Sequence, residues 1–302
     1  MRESKTKLKS AEFSINQIVK HASYQSYASQ NDMRVMLRKC VRDLHTLGFK
    51  LTHVKGFKPK HIYKLVDYWK QEDKSPATIK NYLSKLRELG KLLEDKKLVK
   101  PDNKAYKIGR RQYFPEQSKA IHHIDFSKCS DSLIRLSMEG QYLFGLRREE
   151  SIKFNLSQAL IKKDAILLAP SWTKGGIGRS IPITNQAQRD WLERVGETVK
   201  YGQSLIYEGS TYAKQLNKYA YQTRLMGLKQ LHGLRHSYAQ RRYKELTAFY
   251  DLNKRGWECP FNGGTIAKEM SKVEQDIDFK VRHILTRELG HSRLSILNIY
   301  LG

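Results

Sequence analysis

A few residues spread along the last 160 or so positions of this chain carry side chains suited to meeting a phosphate. Arg147 stands in Gly145-Leu146-Arg147-Arg148-Glu149-Glu150, and Lys174 in Thr173-Lys174-Gly175-Gly176-Ile177-Gly178-Arg179. His232 and Arg235 share His232-Gly233-Leu234-Arg235-His236, and His291 and Tyr300 share the tail Leu289–Leu301. Guanidinium, ammonium and imidazole groups make charge-assisted hydrogen bonds to phosphate oxygens, and a tyrosine hydroxyl can serve as a nucleophile. Each residue alone has a plainer reading: a solvated helix start, a turn lysine, a core aromatic at a helix end. His232 and His236, spaced i and i+4, could ligate zinc. However, the glutamate of H-E-x-x-H is missing, and Arg235 between them would repel a dication. A cation and an imidazole aimed at a phosphate account for the same residues, so no metal and no cofactor is assigned. The glycines after Lys174 are not a nucleotide phosphate loop, because G-x-x-x-x-G-K-[ST] is absent.

The elements that must position these groups are legible around them. Leu133, Leu136, Tyr142 and Leu143 predict a helix ending at Gly145. Glu149 and Glu150 suit the first turn of the next helix, where one arginine can point into a site while a carboxylate steadies it. Ala165–Ala169 and Ser180–Ile183 read as two strands of a hairpin, with Lys174 where the first strand enters the turn. Residues 185–227 read as helical, with Trp191, Leu192 and Val195 on one face and Leu216, Tyr219, Ala220 and Leu225 on another. His232 opens a further helix. Asp251–Gly264, rich in Gly, Asn and Pro, reads as a loop.

The first hundred residues are patterned differently. Met33, Met36, Leu37, Cys40, Val41, Leu44 and Leu47 form one apolar stripe at helical spacing, stopped by Gly48. Pro59 opens a second pattern with Ile62, Leu65, Val66 and Trp69. Ser75-Pro76, a cap and a first-turn proline, opens a third on Ile79, Tyr82, Leu83, Leu86, Leu89 and Leu93. Ile15, Ile18, Val19 and Ala22 make a fourth, weaker stripe. Residues 98–120 read as a basic linker, punctuated by Pro101, Gly109 and Pro115. Its Arg110 and Arg111 are expected to lie along phosphates, so that neutralising them flattens the salt dependence of binding.

Of the 302 residues, 56 are Lys or Arg and 30 Asp or Glu, a net charge of +26 that is denser over residues 1–110. Such an excess calls for a polyanionic partner, nucleic acid first, although ribosomal and membrane-surface proteins share it. Cys40, Cys129 and Cys259 are odd in number, lack C-x-x-C spacing and make a disulfide framework improbable. With no apolar run long enough to span a bilayer and no signal peptide, a cytoplasmic location is expected.

Taken together, Gly145-Leu146-Arg147 with Glu150, Lys174 in a hairpin, His232-x-x-Arg235-His236, and Leu289-Gly290-His291 nine residues before Tyr300 resemble the phage integrase, or tyrosine recombinase, family. Order and spacing match across the second domain, and the N-terminal helices resemble the family's core-binding domain through weaker motifs. The resemblance implies a mainly α fold with a small antiparallel β-sheet. Residues 1–105 would be a four-helix domain that clamps DNA, 106–116 a basic linker, and 117–302 an α+β catalytic domain with an enlarged loop around 247–272. It also implies roles. Tyr300 would attack a phosphodiester, forming a 3′-phosphotyrosyl link and releasing a 5′-hydroxyl. His232 would accept or relay the proton, since a free tyrosine of pKa ~10 is a poor nucleophile at neutral pH. Arg147 and Arg235 would grip the non-bridging oxygens, His291 would add a hydrogen bond, and Lys174 would protonate the leaving oxygen. Glu150 would orient the arginines or His232. Double-stranded DNA, a homotetramer on two DNA sites, and room for an accessory DNA-bending protein follow as partners, for integration or excision of a mobile element.

Two departures from the family pattern stand out. His232 and His291 are separated by 58 residues, more than the compact family form carries there. The chain also ends at Gly302, which puts in question the docking of a C-terminal segment on a neighbouring protomer. A mobile nucleophile segment that docks only on DNA is therefore expected. The same residue set also serves type IB topoisomerases and telomere resolvases. A non-catalytic DNA-binding regulator is disfavoured because every polar catalytic position is filled, and an RNA-binding helical protein would explain the charge but not the ordered set.

Overall fold

Each apolar stripe of the first hundred residues becomes a helix: α1 (Arg2–His21), α2 (Tyr27–Thr46), α3 (Pro59–Gln71) and α4 (Pro76–Leu92). The computed structural model describes all residues except Met1, Gln25, Ile161, Lys174 and Gly175. Lys174 therefore lies outside the described residues. Ser26 caps α2 by accepting from the Ser29 amide (3.2 Å), and Ser75 caps α4 through the Thr78 amide (3.2 Å). The four helices close on one core that includes Ile15, Val19, Leu37, Leu65, Trp69 and Leu86. Trp69 donates its indole N–H to Asp43 (2.7 Å), which also takes the Lys39 ammonium, so the carboxylate drawn toward this core is satisfied.

The chain divides by its contacts into residues 1–112 and 113–302. The second unit runs α5 (Ser132–Phe144), α6 (Arg148–Ile152), α7 (Leu156–Ala159), β1 (Ala165–Leu168), β2 (Arg179–Pro182), α8 (Gln186–Thr198), α9 (Tyr212–Leu225), α10 (Gly233–Thr247), α11 (Lys272–Glu288) and α12 (Asn298–Leu301). The fold is mainly helical, and its named strands β1 and β2 pair antiparallel, with Ala165 opposite Pro182 and Leu168 opposite Arg179. Asp131 caps α5 by accepting from Ile134 (3.0 Å), and Gly145 (φ 61°) ends it in the left-handed conformation that favours glycine. The core gathers Phe144, Phe154, Trp191, Ile166 and Ile181, and the Trp191 indole donates to the Leu136 carbonyl (3.0 Å). Each such buried aromatic or aliphatic side chain contributes ~1.5–3 kcal/mol.

One segment differs from the sequence reading, and a second keeps its loop character but is more ordered than that reading implies. Residues 185–227 are not one helix pattern but α8 and α9, joined by 199–211. Leu205, fully buried, draws that connection into the core, Asn155 donates to the Gly202 carbonyl (2.7 Å), and Gly202 and Gly209 take positive φ. The segment between α10 and α11 has one short 3₁₀ turn but is folded on itself. Asp251 accepts the amides of Asn253, Arg255 and Gly256, the Trp257 amide donates to Thr247, and Cys259 is buried.

Candidate active site

The site is built outward from the N-terminus of α10. The stretch 118–121 lies across that end: the Ile121 amide donates to the Gly233 carbonyl (3.2 Å) and Ser237 donates to the Ile121 carbonyl (2.6 Å). A Cβ at position 233 would stand 2.6 Å from Ile121 Cγ1, so only glycine fits there. Next to it Arg235 is completely buried. Its Nη1 donates to the Gly145 carbonyl and its Nη2 to the Leu289 carbonyl, while Nε meets the Tyr300 hydroxyl (3.4 Å) and Nη2 lies 3.4 Å from His291 Nε2. One guanidinium thus ties the loop before α6, the end of α11, and α12. Burial brings its pKa down to about 10, which leaves it a cation at neutral pH.

Glu150 is the second hub and is fully buried. It takes the Arg147 amide (2.7 Å) and Nη1 (2.7 Å), and both Nη groups of Arg179 (2.8 and 2.7 Å). Burial alone would raise its pKa, but the hydrogen bonds and charge of Arg179, with Arg235 and the Arg147 amide, hold it at about 2. Arg147 then reaches the Gly290 carbonyl through Nη2 (2.9 Å), and Arg179 Nε reaches the Glu288 carbonyl (2.8 Å). Both arginines therefore fasten the turn that carries His291. The Glu288 carboxylate belongs to a separate set, accepting from Tyr238 (2.9 Å) and Arg242 (3.0 Å).

Tyr300 is 3% exposed on α12. Its hydroxyl lies 3.2 Å from His232 Nε2, and its ring stacks on His236 with centroids 4.3 Å apart and lies 5.4 Å from that of His291. The expectation of a mobile segment that docks only on DNA is not what the structure holds. Leu297 and Leu301 are fully buried, and Gln240 donates to the Tyr300 carbonyl (2.9 Å), so contacts within the chain seat the tail. All three histidines are pushed toward neutrality. Burial first, then neighbouring cations, lowers His232 to about 4 and His291 to about 3; for His236, burial, His232 and nearby cations bring it to about 3. A neutral His232 at neutral pH can accept a proton.

Arg147, Glu150, His232, Arg235, His291 and Tyr300 are thus brought together by hydrogen bonds or ring contacts, while Lys174 is outside the described residues. Glu150 orients the arginines and makes no hydrogen bond to His232. Arg179 and Gln240 complete the cluster, although the sequence alone gives them no part in it, and His236, legible in the His232-x-x-Arg235-His236 motif, joins it by stacking on Tyr300. Among the described residues, no three His, Cys, Asp or Glu side chains could hold a metal ion.

Comparison with known proteins decides the family. A model described as the N-terminal part of phage integrases matches residues 9–98, and an integrase model matches residues 109–241. The chain belongs to the phage integrase, or tyrosine recombinase, family. The integrase match stops before His291 and Tyr300. No curated protein matches the sequence. Solved tyrosine recombinases share its fold. The Tn1549 transposon integrase in complex with a circular intermediate DNA covers 96% of this chain and 95% of its own, at 13% identity and TM-score 0.55. The XerH site-specific recombinase bound to palindromic difH substrate covers 97% and 81%, at 17% identity and 0.56. A lambda integrase tetramer bound to a Holliday junction covers 78% and 74%, at 16% identity and 0.52.

Proposed function

We propose that this integrase-family recombinase cleaves and rejoins double-stranded DNA through Tyr300. The observation that carries the reading is the Tyr300 hydroxyl, 3.2 Å from a neutral imidazole and 3.4 Å from a buried guanidinium. Tyr300 Oη attacks the scissile phosphorus, its proton passes to His232 Nε2, and the bond to the 5′-oxygen breaks to leave a 3′-phosphotyrosyl link. Arg235, Arg147 and His291 meet the non-bridging oxygens as charge builds. Lys174 is assigned the proton for the leaving oxygen on its place in the sequence alone. The incoming phosphate must take the Arg235 Nε donor that Tyr300 now occupies. Its negative charge also offsets the cations that depress His232, making that residue a stronger base when the substrate is in place.

The covalent link conserves the energy of the broken bond, so rejoining to another strand needs no external energy source. The net charge of +26 supports DNA as the partner. A homotetramer on two DNA sites is proposed by likeness to the lambda integrase tetramer, with integration or excision of a mobile element as the outcome and the cytoplasm as the place. No described helix is long and apolar enough to cross a membrane.

The test is a nicked duplex from the DNA flanking the gene, assayed for an adduct that survives SDS. Wild type should form it and Tyr300→Phe should not. An adduct formed by Tyr300→Phe would show that Tyr300 is the wrong nucleophile. Relaxation of supercoiled plasmid without strand exchange would instead indicate a topoisomerase.

A further inference from the structure

Three side chains one helical turn apart, on α10 and the residue that opens it, touch Tyr300 at three heights. His232 meets the hydroxyl (3.2 Å), His236 lies against the ring (centroids 4.3 Å apart, planes 29° from parallel), and Gln240 donates to the backbone carbonyl (2.9 Å). Residues at i, i+4 and i+8 share one helix face, so α10 forms a rail along the whole tyrosine. His236 and Gln240 are 2% and 3% exposed, yet His236 Nδ1 and Gln240 Oε1 have no hydrogen-bond partner. Apolar side chains would fill this face without leaving buried polar atoms unpaired. What His236 and Gln240 supply in return is contact with Tyr300. Gln240 also donates to Ser118 (2.9 Å), which anchors it to the stretch that crosses the start of α10.

We infer that His236 and Gln240 are positioning residues that hold Tyr300 docked in its own chain's active site before DNA arrives. This rests on Tyr300 being the nucleophile. His236 fixes the ring plane, and Gln240 fixes the height of α12, so the hydroxyl is delivered between His232 and Arg235 with little left to order.

Two readouts on the full-length protein test it. The first is nitration of tyrosines by tetranitromethane in the absence of DNA, read by peptide mass spectrometry, with Tyr201 and Tyr27 (94% and 91% exposed) as internal standards. Wild-type Tyr300 should react at least ~10-fold more slowly than these, and His236→Ala and Gln240→Leu should each remove most of that protection. His236→Phe, which keeps a stacked ring and loses no hydrogen bond made by Nδ1, should retain it. The second is the single-turnover rate of adduct formation at saturating duplex. His236→Ala and Gln240→Leu should lose about 10–100-fold with DNA affinity unchanged, and His236→Phe should recover most of it. If Tyr300 in wild type reacts as fast as Tyr201, or if both His236→Ala and Gln240→Leu leave protection and rate unchanged, the inference fails. Should His236→Ala not fold, Gln240→Leu carries the test. Protection in wild type without any adduct would overturn the proposed activity and leave the clamp standing.

Discussion

Replacing Glu150 by glutamine tests the central hub directly. In the folded protein the carboxylate accepts four hydrogen bonds, two from Arg147 and two from Arg179, and its side chain is fully buried while that of Arg179 is 5% exposed. A carboxamide at position 150 would turn an N–H₂ toward one of these donor pairs, losing two acceptors and leaving the Arg179 cation without its counter-charge. Removing one partner of a buried pair costs about 3–5 kcal/mol. The fall of the Glu150 pKa from 4.5 to about 2 points to a comparable size, roughly 3 kcal/mol at neutral pH. That is a large share of a stability of about 5–15 kcal/mol. Chemical denaturation of Glu150→Gln, Arg179→Gln and the double variant, followed by circular dichroism, gives the double-mutant cycle. The double variant should be less damaged than the two single losses together, by about 1–3 kcal/mol. Adduct formation by Glu150→Gln should fall ~10²-fold, because Arg147 would keep at most one hydrogen bond to residue 150 beside that to Gly290. Additive losses, or a Glu150→Gln protein within about 1 kcal/mol of wild type, would refute the view that Glu150 organises the arginines.

Three further outcomes follow from the same geometry. Gly145→Ala should cost about 2–4 kcal/mol in denaturation, because φ is 61° and the new Cβ would stand 2.9 Å from Tyr238 Cγ. Tyr300→Phe should bind duplex as tightly as wild type or up to about 1 kcal/mol more tightly in a fluorescence anisotropy titration, since it frees the Arg235 Nε donor; weaker binding would argue against a phosphate at that position. For acid stability the sign is set by the histidines. His232, His236 and His291 have folded values of about 4, 3 and 3, below the ordinary 6.5, so the unfolded chain takes up protons first. Their contribution is intact above pH 6.5 and is lost as pH falls from there through about 4 to 3, with a slope of up to ~1.36 kcal/mol per pH unit for each group. The melting temperature of the DNA-free protein should therefore drop between pH 7 and pH 5, and a flat profile there would contradict the burial of neutral imidazoles.

The sequence made the candidate reacting groups visible because their types are uncommon in fixed order, and made the helices visible because their stripes are strong. Ser26 gives no warning of its capping role, but Ser75-Pro76 and Gly145 carry their own local signals, and the structure uses both as such. Arg179 is opaque for a physical reason. An arginine after a glycine-rich turn ordinarily stays in water, and the carboxylate of Glu150, 29 residues upstream, with the Glu288 carbonyl, offsets the cost of its burial. That pairing is tertiary and leaves no periodic trace. Gln240 is hidden in the same way, since its value lies in a tyrosine 60 residues away; His236 is visible in the His232-x-x-Arg235-His236 motif, but its stacking on Tyr300 is not. The break at 199–211 has a signal that periodicity outweighs: Gly202 and Gly209 both take positive φ. The seating of Tyr300 depends on buried Leu297 and Leu301, whose apolar character is legible but whose partners in α10 and α11 are not.

The charge arithmetic of the site also bears on rate. Arg147, Arg179 and Arg235 gather around Glu150, while the three histidines are held neutral. Among these described groups, three cations face one anion, an excess of two positive charges in a largely buried place. Such an excess is unfavourable in the free protein, and after burial it is what further lowers the histidine pKa values. A phosphodiester brings one negative charge and leaves the excess half compensated. In the proposed reaction the pentacoordinate state formed when tyrosine oxygen adds to phosphorus carries two; His232 gains one positive charge with the proton, so the site's total is unchanged while negative charge gathers on the oxygens that the arginines face. The fixed cations therefore match the transition state more closely than the bound substrate, and only interactions that strengthen between those two states accelerate chemistry. Glu150 belongs to this account as much as the arginines do. A second carboxylate here would halve the excess, and none at all would leave Arg147 and Arg179 without the acceptor that aims them.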